Sequence, residues 1–147
     1  MPTLSLQLCP HQPPEVLRSL AQALTRITAH CLGKRPDVTA VMIDALPQGH
    51  WFIGGQTPQR PTACLAVRIT AGTNTSEEKA AFIREAHALL AEALGGQGGL
   101  EEASYVVVQE LPASDWGYGG RTQLARRNDR SAPLPKPCPG SSAVNRP

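Results

Sequence analysis

Proline at position 2 is the residue in this chain with the most unusual chemistry open to it. Inside a chain, a proline nitrogen is a tertiary amide with no usable basicity. If Met1 is removed, as a small second residue permits, the same nitrogen becomes a secondary amine with a lone pair on a fixed ring. Such an amine is an effective general base when its pKa lies near the working pH. Ordinary α-amino groups titrate near about 7.7–8.0. Burial in an apolar pocket penalises the charged form and brings an amine down toward neutrality. Leu4, Trp51 and Phe52 are candidate walls for that pocket. The reaction would be a proton shuttle: the ring nitrogen takes a proton from an enol or from an acidic carbon beside a carbonyl, then returns it elsewhere along the conjugated chain. Negative charge developing on oxygen must meet donors or cations.

Other chemistries find little support. His11, His50 and Asp115 form no metal-ligand spacing, and there is no phosphate loop or nucleophile elbow. No cofactor is expected. Cys9, Cys31, Cys64 and Cys138 are scattered without a C-x-x-C pair, and Cys31 and Cys64 read as buried packing. Dispersed thiols, with no basic start or apolar core in the first 15 residues, point to the cytoplasm. Asn74-Thr75-Ser76 spells a sequon that has no use there. A formal charge of +2 is too mild for a nucleic-acid or membrane surface, and no apolar run reaches transmembrane length.

An internal repeat supplies the elements that would hold Pro2. Leu46-Pro47-Gln48-Gly49-His50-Trp51-Phe52-Ile53-Gly54-Gly55 returns as Leu111-Pro112-Ala113-Ser114-Asp115-Trp116-Gly117-Tyr118-Gly119-Gly120, with Leu, Pro, Trp and both glycines at an offset of 65. Thr3–Leu8 alternates apolar and polar residues, as a half-buried strand does, and Cys64–Ile69 does the same. Helices follow both. Leu17, Leu20, Leu24, Ile27 and Cys31 make one apolar stripe behind Pro13-Pro14; Phe82, Ala86, Leu89 and Ala93 make the other. Thr75 with Glu78 reads as a capping box, and Gly95-Gly96 as a stop. The β-rich runs 38–45 and 104–110 close each unit. A helical crossover makes the two strands of a unit parallel. The expected class is α+β: two tandem β-α-β units, about 2–57 and 61–122, forming a four-stranded mixed sheet with both helices on one face. The domain would span 1–127, with a Pro-rich tail over 128–147 expected to be disordered. Oligomerisation would cover the bare sheet face.

These residues resemble the tautomerase superfamily: Met1-Pro2 opening a strand, tandem β-α-β units, and strand ends of the type L-P-x-x-x-W-x-x-G-G. Gly49–Gly55 is similar to the segment closing the 4-oxalocrotonate tautomerase unit. Gly33-Lys34-Arg35-Pro36 with Thr39-Ala40-Val41 resembles the macrophage migration inhibitory factor branch. Arg68-Ile69-Thr70-Ala71-Gly72 is similar to 5-carboxymethyl-2-hydroxymuconate isomerase. The likeness covers about residues 2–127.

The resemblance implies a homotrimer whose sheets surround a channel, with active sites near subunit boundaries, acting on a small enol or keto acid. It implies Pro2 as the base and Lys34 as the cation for the substrate. Tyr105 falls where that branch places a tyrosine donor, and Trp51 matches a pocket aromatic beside Phe52. Gln12 and Ala40 stand where 4-oxalocrotonate tautomerase carries substrate arginines, so a dicarboxylate would need Arg35, Arg68 or a tail arginine. Ala63 aligns with Pro2, so the second unit lacks a proline base. One alternative is a hydratase or dehalogenase resembling cis-3-chloroacrylic acid dehalogenase, with His30 as its helix histidine. Against that, Tyr118 replaces the water-activating glutamate, and Ala71 and Asn74 fall near the places of its arginine pair. Another is a non-catalytic interaction protein on the same scaffold, which retention of Met1 would favour.

Overall fold

The computed structural model describes residues 1–131; the expected tail lies outside them from position 132 onward. The chain divides into two units, Met1–Pro112 and a second beginning at Ala113.

In the first unit, strand β1 (Thr3–Cys9) leads into helix α1 (Pro14–Leu32) and strand β2 (Ala40–Ala45); strand β3 (Thr62–Thr70), helix α2 (Ser76–Leu94) and strand β4 (Tyr105–Leu111) repeat the pattern. The sheet order is β2-β1-β3-β4. Each crossover produces a parallel pair, with Thr3 opposite Ala40 in one and Cys64 opposite Tyr105 in the other. Within this first unit, the two β-α-β halves meet through antiparallel β1 and β3, Thr3 opposite Arg68 and Leu8 opposite Ala63.

Strand alternation decides what is buried. Leu4, Leu6 and Leu8 of β1, with Leu65, Val67 and Ile69 of β3, form a core against Leu20 and Leu24 of α1 and Phe82 and Ala86 of α2. Removing Phe82, 0% exposed, would leave a cavity that costs about 3–5 kcal/mol. The seam of α2 continues through Leu90 and Leu94, whereas Leu89 is half-buried and Ala93 exposed. The expected stripe therefore drifts by one residue in its second half: steps of four from Phe82 hold the sheet-facing side, and Leu89 lies at its flank. The capping box forms as read, with Glu78 N–H donating to Thr75 Oγ1 at 3.2 Å and Thr75 N–H to Glu78 Oε2 at 2.9 Å.

Neither α1 nor α2 covers the other face of this sheet. Met42 and Val107 are exposed there, and Ser5, Gln7, Asp44, Cys64 and Arg68 line a shallow cavity of about 390 Å³.

The repeated glycine pairs make the same turn twice. Gly54-Gly55 (φ 59° and 76°) closes a bridge between Ile53 and Gln56, and Gly119-Gly120 (φ 58° and 72°) closes a hairpin of β5 (Gly117–Tyr118) and β6 (Arg121–Thr122). Two consecutive positive φ values favour glycine at both positions. In the second unit, helix α3 (Gln123–Ser131) follows at once, so helical order continues beyond Asn128, where the tail was expected to start. Arg126 lies 3.7 Å over the Tyr118 ring and donates to the Tyr118 carbonyl at 2.9 Å.

Candidate active site

Pro2 immediately precedes β1 and is buried, while Met1 is 37% exposed. Its carbonyl accepts a hydrogen bond from Ala40 N–H at 3.3 Å, which pins it to the start of β2. Because β1 and β3 run antiparallel, this is also the end of the sheet where β3 and β4 finish, at Thr70 and Leu111. With Met1 attached, the Pro2 nitrogen is an amide. Removing that exposed residue would leave a secondary amine two residues before Leu4, which is wholly buried.

Lys34 reaches the same end from α1. Gly33 closes that helix in the left-handed conformation (φ 62°), its N–H donating to Ala29 O, and turns the chain out of the helix before Lys34. The Lys34 ammonium donates to Thr73 Oγ1 at 2.9 Å, just beyond the end of β3. Asn74 Nδ2 donates to Leu32 O at 3.0 Å and to Glu78 Oε2 at 2.9 Å, tying the β3–α2 turn to the last turn of α1. Glu110 accepts from Lys79 Nζ at 3.0 Å and from Gly72 N–H at 3.3 Å. Burial lowers the Lys34 pKa below its ordinary 10.5, against an opposing pull from Glu78 and Glu110. The Lys79 ammonium, followed by the Gly72 N–H, holds the Glu110 carboxyl below its usual range.

The remaining candidates lie elsewhere in the chain. Arg68 stands opposite Thr3, but on the face away from α1 and α2, and its Nη1 donates to Ser5 Oγ at 2.9 Å, toward the middle of the sheet. Tyr105 begins β4 at the end opposite Pro2, 61% exposed. Trp51 and Phe52 follow β2, which runs parallel to β1 and so finishes at that far end too; Phe52 is 59% exposed. Their neighbour Ile53 lines a concavity of about 560 Å³ together with Tyr105, Arg60 and Glu101. One chain thus joins Pro2 with Lys34 at one end and Tyr105 with the Trp51-Phe52 loop at the other. His30 is exposed on α1. Among the described residues, no group of three His, Cys, Asp or Glu side chains could hold a metal ion, and no helix is long and apolar enough to cross a membrane.

Sequence reading missed Thr73 and Glu110 as partners of this end and saw Asn74 as part of a sequon or a lost arginine position. The available signal was the polar run Thr73-Asn74-Thr75 directly after an apolar strand, which marks a turn at the sheet end where Pro2 belongs.

A family model described as Tautomerase enzyme matches residues 64–123. A search among curated proteins finds no match. Among solved structures, the chain is similar to a native fused 4-OT, at 26% identity with a TM-score of 0.71, covering 84% of this chain and 97% of that one. It is similar to a fused 4-OT described as a wild type asymmetric trimer, at 25% identity with a TM-score of 0.72, covering 84% and 98%. A macrophage migration inhibitory factor-like protein from Entamoeba histolytica shares the fold at 18% identity and a TM-score of 0.66, covering 82% and 97%. The second β-α-β unit carries the family's sequence pattern, and the four-stranded sheet with its helices carries the family's architecture. Over residues 64–123 the chain is similar to the tautomerase family, and its four-stranded mixed sheet with helices has the tautomerase/MIF fold of these structures.

Proposed function

We propose that this protein is a keto-enol tautomerase, an isomerase acting on a small enol or keto acid, with Pro2 as general base once Met1 has been removed. The observation that carries this reading is the burial of Pro2 at the same sheet end as Lys34, whose ammonium is hydrogen-bonded to a hydroxyl and not to a carboxylate. A buried amine is favoured in its neutral, proton-accepting form. It takes the proton from the enol oxygen or from the carbon beside the carbonyl, and returns it at the other end of the conjugated system. Lys34 stabilises the charge that gathers on oxygen meanwhile.

The second half of the site is supplied by a neighbouring copy in a homotrimer. Two features support this. Tyr105, Trp51 and Phe52 lie at the end of the sheet away from Pro2, and the solved fused 4-OT to which the chain is similar is itself described as a trimer. Assembly would also cover Met42 and Val107 on the bare face. Arg68 spends one of its five N–H donors on Ser5 and lies on the bare face, away from the Pro2–Lys34 end. We place the protein in the cytoplasm, where its dispersed thiols stay reduced.

The test combines the intact mass of the mature chain with an enol-tautomerisation assay on wild type and Pro2→Ala. The expected result is loss of Met1 and a drop of about a hundredfold or more in the variant, the scale of a lost general base. Equal rates in the two proteins would remove Pro2 from the mechanism.

A further inference from the structure

We infer that Thr73 is a positioning residue for Lys34: its hydroxyl fixes the ammonium at the Pro2 end of the sheet without neutralising it. This rests on the role given to Lys34 above. The hydrogen-bond pattern around Thr73 determines which way each proton points. Thr73 Oγ1 donates to Thr70 O at 2.7 Å, with a longer 3.3 Å approach to Asn74 Oδ1. A hydroxyl has one proton and two lone pairs. With the proton directed at Thr70, the oxygen is left to accept from Lys34 Nζ at 2.9 Å.

Two carboxylates stand close enough to pull on Lys34, yet both are engaged elsewhere. Glu78 holds Thr75 N–H and Asn74 Nδ2, and Glu110 holds Lys79 Nζ and Gly72 N–H. An ammonium has three donors and no acceptor. Spending one on a neutral oxygen leaves two, and the full positive charge, for an anionic ligand. A carboxylate partner in place of Thr73 would hold the same nitrogen but cancel the charge. The turn is itself anchored to α1, because Asn74 binds Leu32 O two residues before Lys34. Thr73 is exposed, so replacing it leaves the core untouched.

The consequence of losing the hydroxyl follows directly. In Thr73→Val the ammonium turns to Glu110 or Glu78 and is paired away from the substrate. The experiment uses the full chain and two readouts: NMR titration of the Lys34 side chain, and steady-state kinetics with an enol acid and with its methyl ester. In Thr73→Val the Lys34 titration should move upward, the KM for the acid should rise about tenfold, as for the loss of one hydrogen bond to a charged group, and kcat should change little. The ester, with no charge to bind, should be unaffected. Thr73→Ser should restore both readouts, and Thr73→Ala should behave as Thr73→Val. An unchanged Lys34 titration in Thr73→Val overturns the inference, as does an equal rise in KM for acid and ester. If the wild type has no tautomerase activity, the function proposed above fails, and the titration alone still decides whether Thr73 holds the ammonium.

Discussion

Lys34 is where burial and charge act against each other most directly. Burial favours the neutral amine, while Glu78 and Glu110 favour the ammonium, and burial wins. The protonated form is the one that can meet an anionic substrate. Activity on an enol acid should therefore fall on the alkaline side, with a midpoint below the ordinary lysine value of 10.5. Lys34→Ala should abolish that limb along with most of the affinity, and Lys34→Arg should move it to higher pH, because a guanidinium stays charged. A limb that persists in Lys34→Ala would assign it to another group. Pro2 and Lys34 were legible as candidates because a terminal proline has chemistry of its own and the Gly33-Lys34-Arg35-Pro36 stretch resembles a known branch. Thr73 was not legible: its contact with Lys34 spans 39 residues and exists only after the β3–α2 turn docks beside the end of α1.

The elements were legible where period and capping chemistry agree. Alternation marked β1 and β3, apolar stripes marked both helices, and Thr75 with Glu78 marked the start of α2. The glycine pairs were seen as a repeat but not as turns, because a two-residue bridge leaves almost no alternating pattern to detect. The capping box has a measurable signature. The Thr75 N–H, followed by the Asn74 side chain, holds the Glu78 carboxyl below its ordinary 4.5. A carboxyl depressed in the folded state contributes stability above that ordinary value and loses it as pH falls through the folded value. Glu78→Gln should consequently reduce the loss of thermal stability with acidification below pH 4.5. Thr75→Ala should destabilise by about 1 kcal/mol in denaturant titration, as lost N-caps do. An unaltered acid profile in Glu78→Gln would show that the cap carries no pH dependence.

At the scale of the whole molecule, the sheet separates the candidate residues that the proposed site would bring together. Register puts Pro2 at one end and Tyr105 at the other, so no rotamer change within a chain can join them. That division was not readable from order along the sequence, since it follows from the antiparallel meeting of β1 and β3. It has a direct test by complementation. Pro2→Ala and Tyr105→Ala protomers, each weak alone, should regain activity when unfolded together and reassembled, because some mixed sites receive an intact Pro2 from one copy and an intact Tyr105 from its neighbour. No recovery in mixtures confirmed to contain both chains would remove Tyr105 from the Pro2 site. Met42→Glu, on the sheet face away from α1 and α2, should lower the assembly mass in sedimentation by putting charge where copies are expected to meet.

The central claim concerns one nitrogen, and labelling it gives the most direct measurement. With 15N-proline in the mature chain, the Pro2 amine should titrate below a solvent-exposed secondary amine, its neutral form populated at working pH. The same signal should respond when an enol acid is added. A Pro2 nitrogen still carrying Met1, or one titrating as freely as an exposed amine, would contradict the proposed base.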